Sequence, residues 1–251
     1  MIRRFDRLRP SPRMAAACAA VLSLALPVQT SAAEPFRLLT LSGASPHPAV
    51  LLVSGCSGFI AVNGVNLYEE RAAELQAAGY VVVFVDYLGR RNLKNCSGQI
   101  SRVQLGQDIL EAAAWVRARP DVDPARISAI GWSYGGAGVI AALTAMPPGA
   151  PAFAKAVMYY PDCRGAVPWA VTTVSAMVHL GAIDEVAPPA LCDGIIKGAP
   201  PDRLRAITYP NARHAFDLRS LPERTQYQFG TIGYNAEAAQ ASWATTVAFL
   251  K

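Results

Sequence analysis

A short segment near the middle of the chain carries the residues for nucleophilic chemistry. Residues 131–136 read GWSYGG, which fits the G-x-S-x-G pattern of a nucleophile elbow. A serine hydroxyl is a weak nucleophile, so it must stand clear on a sharp turn between a strand and a helix. The apolar run 126–131 and the alanine-rich run 138–146 predict that strand and helix. We therefore predict Ser133 as the nucleophile; the alternative is that this pattern forms a plain loop.

A serine nucleophile needs a base, and the chain has three histidines. His47 lies between two prolines before the first central strand, at the wrong end of the predicted sheet. His179 lies inside the apolar run 174–183, where a single histidine is usually a core residue with its hydrogen bonds satisfied. His214 follows the last predicted strand. Because chains with a nucleophile elbow place their triad in the order serine, acid, histidine, we predict His214 as the base.

An acid must orient this histidine, and Asp184 is the first candidate because it ends the strand that precedes the strand of His214. Its carboxylate would accept a hydrogen bond from Nδ1–H of His214 and stabilise the imidazolium that forms when Ser133 gives up its proton. Glu185 is adjacent, and Asp162, after the preceding strand, is the rival candidate. Asp184 could alternatively be the N-cap of a helix that begins at residue 186.

The oxyanion of an acyl-transfer reaction needs two backbone N–H donors. One would come from Tyr134, the residue after the nucleophile, and the other from the glycine-bearing turn 54–58 (SGCSG) after an earlier strand. In that turn the donor would be Cys56 N–H or, failing that, Ser57 N–H. Each such donor lowers the barrier by roughly 3 kcal/mol. The alternative is that residues 55–58 form only a tight turn.

Short apolar runs alternate along the chain with segments of helical periodicity, which is typical of a mostly parallel, doubly wound α/β sheet flanked by helices. We predict strands at residues 36–41, 49–54, 80–86, 126–131, 155–160, 174–181 and 205–209, the first of them antiparallel. We predict helices at residues 68–78, 103–118, 138–146 and 236–250. Such sheets bind ligands at the carboxyl ends of their strands, where Ser133, Asp184 and His214 all lie. The segment 163–173 leaves room for a small flap and not for a large lid domain.

The first 33 residues have the pattern of a secretory signal peptide. A basic segment with five arginines, an apolar run at residues 14–28 and small side chains before Glu34 follow one another. The apolar run is too short for a membrane-spanning helix, which needs about 20 residues. The leader carries nearly all of the formal net charge of +5, so the rest gives no reason to expect a nucleic-acid partner. We predict a signal peptide over residues 1–33 and one exported domain, periplasmic or secreted, over residues 34–251.

The chain resembles the dienelactone hydrolase family of the α/β-hydrolase superfamily. The resemblance rests on residues 54–58, 126–138 (RISAIGWSYGGAG), 181–184 (GAID), 209–216 (YPNARHAF) and 233–235 (GYN). It implies an α/β-hydrolase fold and the triad Ser133, Asp184 and His214. This chain has a serine where the enzyme that names the family has a cysteine nucleophile, and Ser54 stands where many relatives have histidine.

Four cysteines follow the leader. In this fold the strands 49–54 and 80–86 are neighbours, as are the strands that end at residues 160 and 181. Because an even number of cysteines in an exported chain favours disulfides, we expect the pairs Cys56–Cys96 and Cys163–Cys192, with unpaired structural thiols as the alternative. The sequence has no C-x-x-C spacing and no G-x-G-x-x-G fingerprint after a strand, so we expect neither a metal nor a cofactor.

Together these residues predict a serine hydrolase that cleaves small-molecule carboxylic esters or lactones through an acyl-enzyme. Phe59, Trp132, Tyr134, Trp169 and Phe216 could line its site with apolar surface, although each could equally be a core residue. Two alternatives stay open at this point: an acyltransferase that uses the same triad, and a non-catalytic binding protein that keeps the fold. A binding protein is expected to lack a triad member, and none is missing.

Overall fold

A seven-stranded sheet forms the centre of the protein. The computed structural model describes residues 34–146, 153–166, 174–200 and 202–251. The strands are β1 (Arg37–Leu39), β2 (His47–Val53), β3 (Val81–Phe84), β4 (Val122–Trp132), β5 (Lys155–Tyr159), β6 (Ser175–Gly181) and β7 (Leu204–Tyr209). They lie in the order β1-β3-β2-β4-β5-β6-β7. β1 pairs antiparallel with β3, and the other neighbours pair in parallel.

Helices cover both faces of this sheet. They are α1 (Leu67–Ala77), α2 (Arg102–Arg117), α3 (Tyr134–Ala145), the short α4 (Asp193–Gly198) and α5 (Ala236–Leu250). Successive residues of β2 alternate between two apolar clusters, because side chains of a strand point to opposite faces. Ala49, Leu51 and Val53 pack on the side of α2 and α3, whereas Val50 and Leu52 pack on the side of α1 and α5. Burial on both faces explains why the central strands are continuous apolar runs in the sequence.

The predicted doubly wound α/β fold is confirmed, with an antiparallel first strand and with β2 beside β3 and β5 beside β6. No large lid domain is present in the described residues. β4 begins at Val122, earlier than predicted. A hairpin of β8 (Thr225–Tyr227) and β9 (Gly230–Ile232) lies between β7 and α5, and the sequence reasoning did not predict it.

Two disulfides join loops that follow the strands. Cys56–Cys96 links the turn after β2 to the segment between β3 and α2. Cys163–Cys192 links the loop after β5 to the short 3-10 helix Pro189–Cys192. This is the pairing expected from strand adjacency, and two disulfides fit an exported protein. By loop-closure entropy each bond contributes roughly 4 kcal/mol at most.

The predicted signal peptide, residues 1–33, lies outside the described residues. Residues Glu34–Lys251 form one compact unit. Among the described helices none is both long and apolar enough to cross a membrane.

Candidate active site

Ser133 lies on a sharp turn between β4 and α3. Its backbone has φ +52° and ψ −117°, a conformation that residues other than glycine adopt only under strain, as at a nucleophile elbow. The amide of Ser133 donates to the carbonyl of Tyr159, 2.9 Å away. A Cβ at Gly131 would lie 2.5 Å from the carbonyl oxygen of Gly135, and one at Gly135 would lie 2.3 Å from that of Val53. Both positions therefore require glycine for the turn to close.

His214 lies in the loop after β7, and the hairpin holds it there. The amide of Gly233 donates to the His214 carbonyl over 3.1 Å, and His214 forms an isolated bridge with Ile232. The ring of Tyr160 packs against the imidazole with centroids 4.6 Å apart. These contacts fix the imidazole between the sheet edge and the hairpin.

A chain of two hydrogen bonds joins the three predicted triad residues. His214 Nε2 lies 2.8 Å from Ser133 Oγ, and His214 Nδ1 lies 2.8 Å from Asp184 Oδ2. The Asp184 side chain is almost fully buried, with 1% of its surface exposed. Since a carboxylate can only accept, Nδ1 carries the proton of the neutral ring, and Nε2 is left to accept from the serine hydroxyl.

The two oxygens of Asp184 have separate tasks. Oδ2 faces His214, while Oδ1 accepts from the amides of Val186 and Ala187, each at 2.8 Å. The sequence left a helix N-cap as the alternative role for Asp184, but no helix begins at residue 186 and the next one, a 3-10 helix, begins at Pro189. Asp184 instead caps a turn, and it does so together with its contact to histidine. The two backbone donors fix the rotation of the carboxylate and hence the direction of Oδ2.

The rival acid, Asp162, does not contact His214. Its Oδ2 lies 2.5 Å from Arg102 Nη2, and its Oδ1 lies 3.3 Å from Arg164 Nη1. Glu185 is also engaged elsewhere, since its Oε2 accepts from the amide of Thr231 in the hairpin over 2.8 Å. That backbone donor lowers the pKa of Glu185.

The other two histidines lie away from Ser133. His47 begins β2, at the opposite end of that strand from the turn that holds Cys56. His179 is fully buried in β6, where its two ring nitrogens lie 3.0 Å from Tyr209 Oη and 3.0 Å from Thr246 Oγ1. Burial lowers the pKa of His179 to about 3. His179 is therefore a neutral core residue with both nitrogens satisfied, as the sequence suggested.

Cys56 and Tyr134, the predicted oxyanion donors, both line the space around Ser133. Tyr134 is the first residue of α3, so its amide has no acceptor within the helix. The turn that holds Cys56 comes close to Ser133, because a Cβ at Gly55 would lie 3.5 Å from Ser133 Cβ. The amide of Cys96 donates to the Cys56 carbonyl over 3.0 Å, which together with the disulfide ties this turn to the segment after β3.

A cavity of about 730 Å³ opens beside Ser133 and His214. Its wall is mostly apolar and includes Ile60, Val62, Leu67, Leu218, Leu221 and Ile232. Two charged side chains, those of Asp162 and Arg164, also border the cavity, and they form an ion pair with each other. The cavity therefore suits a substrate with an uncharged, apolar part.

Of the aromatic residues predicted to line the site, Trp132 and Tyr134 border the cavity. Phe216 and Phe59 do not border it, which corrects the sequence-based expectation: Phe216 is fully buried, and Phe59 packs edge-on against Phe84 with centroids 5.2 Å apart. Trp169 lies outside the described residues.

Several residues that border the cavity had no place in the sequence-based site. The hairpin contributes Tyr227, Phe229 and Ile232, and α1 contributes Tyr68. The available signal for the hairpin is the segment TQYQFGTI, two short runs rich in β-formers around Gly230. Within the described residues no group of three His, Cys, Asp or Glu side chains is placed to hold a metal ion.

The family model of the dienelactone hydrolase family matches residues 37–251. The chain belongs to the dienelactone hydrolase family. It is thus a hydrolase of the dienelactone hydrolase and esterase type, and the family that its motifs resemble is confirmed. The matched residues include all seven strands of the sheet and the five helices.

Solved structures of similar fold include other hydrolases. A dienelactone hydrolase-like promiscuous phosphotriesterase from metagenomic libraries is 18% identical, with a TM-score of 0.64 over 83% of this chain and 87% of that chain. A thermophilic esterase from Thermogutta terrifontis is 15% identical, with a TM-score of 0.60 over 86% of this chain and 88% of that one. At these identities the likeness shows the fold alone.

A curated relative is much longer than this chain. It is a probable dipeptidyl-aminopeptidase B from Ajellomyces capsulatus, 34% identical over 98 residues. The match covers 36% of this chain and 10% of the relative. The chain therefore aligns with only about a tenth of the length of that protein.

Proposed function

We propose that this member of the family is an exported serine hydrolase that cleaves carboxylic esters or lactones through an acyl-enzyme. Ser133 is the nucleophile, His214 the base and Asp184 the acid that orients it. The observation that carries the proposal is the unbroken chain of 2.8 Å contacts from Asp184 Oδ2 through the imidazole to Ser133 Oγ. Its serine sits on a strained turn, as the geometry of an elbow requires.

In the first half of the reaction, Ser133 Oγ attacks the carbonyl carbon of the ester while its proton passes to His214 Nε2. Asp184 stabilises the resulting imidazolium through Nδ1–H. The negative charge that develops on the former carbonyl oxygen is bound by the amides of Tyr134 and Cys56. When the tetrahedral intermediate collapses, the ester bond breaks and the departing alkoxide takes the proton from Nε2. The product of this half is an acyl-enzyme and a free alcohol.

In the second half, a water molecule attacks the acyl carbon and gives its proton to His214 Nε2. The new tetrahedral intermediate breaks the bond to Ser133 Oγ, which recovers the proton from the imidazolium. The carboxylic acid leaves and the starting state is restored. A lactone follows the same steps, except that its alcohol stays attached to the acyl group until hydrolysis.

The choice of a carboxylic ester or lactone rests on the cavity. Its apolar wall accepts an acyl chain, while the charged pair at its rim, Asp162 with Arg164, is already neutralised. Export is supported by the basic, apolar and small segments of residues 1–33 and by the two disulfides.

The deciding experiment is active-site labelling. A fluorophosphonate, or paraoxon, which phosphorylates the esterase from Thermogutta terrifontis, is incubated with the protein, and the modified peptide is identified by mass spectrometry. Ser133 is the expected site, and Ser133→Ala is expected to lose both labelling and hydrolysis of p-nitrophenyl esters. Ser57→Ala serves as the matched control, because Ser57 also borders the cavity and its side chain has no role in the reaction. Labelling of another serine, or normal turnover by Ser133→Ala, would disprove the proposal.

A further inference from the structure

The hydroxyl of Tyr68 lies against the glycine-bearing turn that follows β2 and has a proton to donate. Its oxygen accepts a hydrogen bond from the amide of Gly55 over 2.9 Å, the residue that immediately precedes the proposed donor Cys56. A Cβ at Gly55 would lie 3.5 Å from Tyr68 Oη and 3.5 Å from Ser133 Cβ. The hydroxyl and the nucleophile therefore border the same small space.

Tyr68 also borders the cavity that the substrate would occupy. Because the Gly55 amide already donates to the oxygen, the O–H bond of Tyr68 must point elsewhere. No acceptor for that proton is found among the residues that the structure describes. A polar hydrogen at a cavity wall with no protein acceptor is available to a ligand atom.

The position of Tyr68 is fixed by its surroundings. Its backbone amide donates to the side chain of Asn66, the N-cap of α1, over 3.1 Å. Its ring packs edge-on between Phe59, at 5.0 Å, and Trp132, at 5.3 Å between centroids. Trp132 is the residue directly before Ser133. The hydroxyl is thus held in register with the elbow before any substrate binds, which is what makes an oxyanion donor effective.

We propose that Tyr68 O–H is a third oxyanion donor, which binds the negative oxygen of the tetrahedral intermediate together with the amides of Tyr134 and Cys56. This role rests on the serine-hydrolase function proposed above. Tyr68 donates a hydrogen bond and transfers no proton, so the phenol remains neutral through the reaction. Burial raises the pKa of Tyr68, which keeps the phenol protonated.

The first test measures Tyr68→Phe against a matched pair of substrates, an oxygen ester and its thionoester, in which sulfur replaces the carbonyl oxygen. Sulfur is a weak acceptor, so a lost oxyanion donor slows the oxygen ester much more than the thionoester. We expect kcat for the oxygen ester to fall by about 100-fold, the lower end for one oxyanion donor, with KM nearly unchanged. The ratio of oxygen-ester to thionoester kcat is expected to fall at least tenfold. An unchanged ratio would overturn the proposal.

A second variant separates donation by Tyr68 from support of the turn. O-methyltyrosine at position 68 keeps the ring and an acceptor oxygen for the Gly55 amide, but has no O–H. We expect it to lower the kcat ratio as far as Tyr68→Phe does. If O-methyltyrosine keeps the wild-type ratio while phenylalanine lowers it, the hydroxyl acts only by holding Gly55, and the proposal is wrong.

The chain offers a control at the other side of Gly55. The hydroxyl of Tyr87 donates to the Gly55 carbonyl over 2.8 Å, and Tyr87 is fully buried away from the cavity. The amide of Gly58 donates to the same carbonyl over 3.1 Å, so the turn survives in Tyr87→Phe. We expect this variant to lose stability and keep the wild-type ratio. A ratio as low as that of Tyr68→Phe would contradict the proposal.

Failure of this inference is distinguishable from failure of the proposed function. If Ser133→Ala abolishes turnover while Tyr68→Phe keeps the ratio, the serine mechanism stands and only the role of Tyr68 is refuted. If Ser133→Ala keeps normal turnover, the serine mechanism fails, and the third-donor role falls with it.

Discussion

Replacing Asp184 by asparagine changes one atom of the site and leaves the surrounding turn intact. The asparagine carbonyl can take the place of Oδ1, which accepts from the amides of Val186 and Ala187 at 2.8 Å. The amide nitrogen then occupies the position of Oδ2, 2.8 Å from His214 Nδ1. We therefore expect Asp184→Asn to fold normally, whereas Asp184→Ala would leave two backbone donors without their acceptor.

The expected loss of activity follows from the proton on the imidazole. An amide NH₂ cannot accept from Nδ1–H, so the ring moves its proton to Nε2 and accepts at Nδ1. Nε2 then faces Ser133 Oγ, 2.8 Å away, as a donor, and it can no longer take the serine proton. A wrong tautomer of this kind lowers kcat by about 10⁴ in a known triad, equivalent to about 5.5 kcal/mol of barrier. KM is expected to change little, because Asp184 does not border the cavity.

The assay is steady-state hydrolysis of a p-nitrophenyl ester by the wild type, Asp184→Asn and Asp162→Asn, with urea unfolding of each. Asp162 is the control because it pairs with Arg102 and Arg164 and does not contact His214. We expect Asp162→Asn to lose less than about tenfold in kcat, since it does not act on the imidazole tautomer. If Asp162→Asn loses nearly all of its kcat while Asp184→Asn keeps most of it, Asp184 is not the acid. Of the proposed triad, only Ser133 and His214 would then remain.

Three further outcomes are expected. Replacing Cys56 and Cys96 together by serine opens a crosslink between residues 40 apart, so the free energy of unfolding in urea falls by about 4 kcal/mol at most. The pKa of His179 is about 3 in the folded protein against 6.5 when exposed, so the unfolded chain takes up a proton between these pH values while the folded protein does not. The free energy of unfolding is therefore unaffected by His179 above pH 6.5 and falls by about 1.4 kcal/mol per pH unit below it, towards pH 3. Urea unfolding at pH 7 and pH 4 should show the wild type losing several kcal/mol more than His179→Gln. Phe229→Ala removes apolar surface at the cavity wall, so KM for a p-nitrophenyl ester with a long acyl chain should rise about threefold to tenfold, with the acetate ester nearly unaffected; an equal change for both esters would argue against the hairpin as an acyl contact.

The sheet could be predicted from sequence because its signals are local. The apolar run at residues 81–84 is buried at every position. A continuous apolar run of this kind is typical of a central strand of a parallel sheet. Once the strands are placed, the rule that chemistry lies at their carboxyl ends picks out Ser133, Asp184 and His214. The structure brings these three residues together.

The parts that sequence did not predict depend on contacts between distant segments. Phe59 and Phe216 follow strands near the site, but which way an aromatic ring turns is decided by its packing partners. Phe59 turns to Phe84, and Phe216 is enclosed by the core. The short strands of the hairpin have only a weak sequence pattern of β-formers. One contact that holds the hairpin, the hydrogen bond from the Thr231 amide to the Glu185 side chain, joins residues 46 apart.

Asp217 illustrates why such residues matter to the geometry of the site. A carboxylate in a loop after His214 would ordinarily be read as a surface residue, yet Asp217 has only 2% of its surface exposed. Its two oxygens accept from Trp132 Nε1 over 2.9 Å and from Tyr160 Oη over 2.6 Å. Burial raises the pKa of Asp217, and these two donors act against that rise.

These two bonds connect the pieces of the triad that lie far apart in the chain. Trp132 directly precedes Ser133, and the ring of Tyr160 packs on His214 with centroids 4.6 Å apart. Asp217 therefore ties the strand that ends just before Ser133 to the loop that carries His214. A buried carboxylate costs stability unless its partners satisfy it, and here one partner directly precedes Ser133 and the other packs on His214. The polar group in the core thus links the segments that carry Ser133 and His214, whose 2.8 Å contact the proposed mechanism requires, and no local pattern in the sequence could have revealed it.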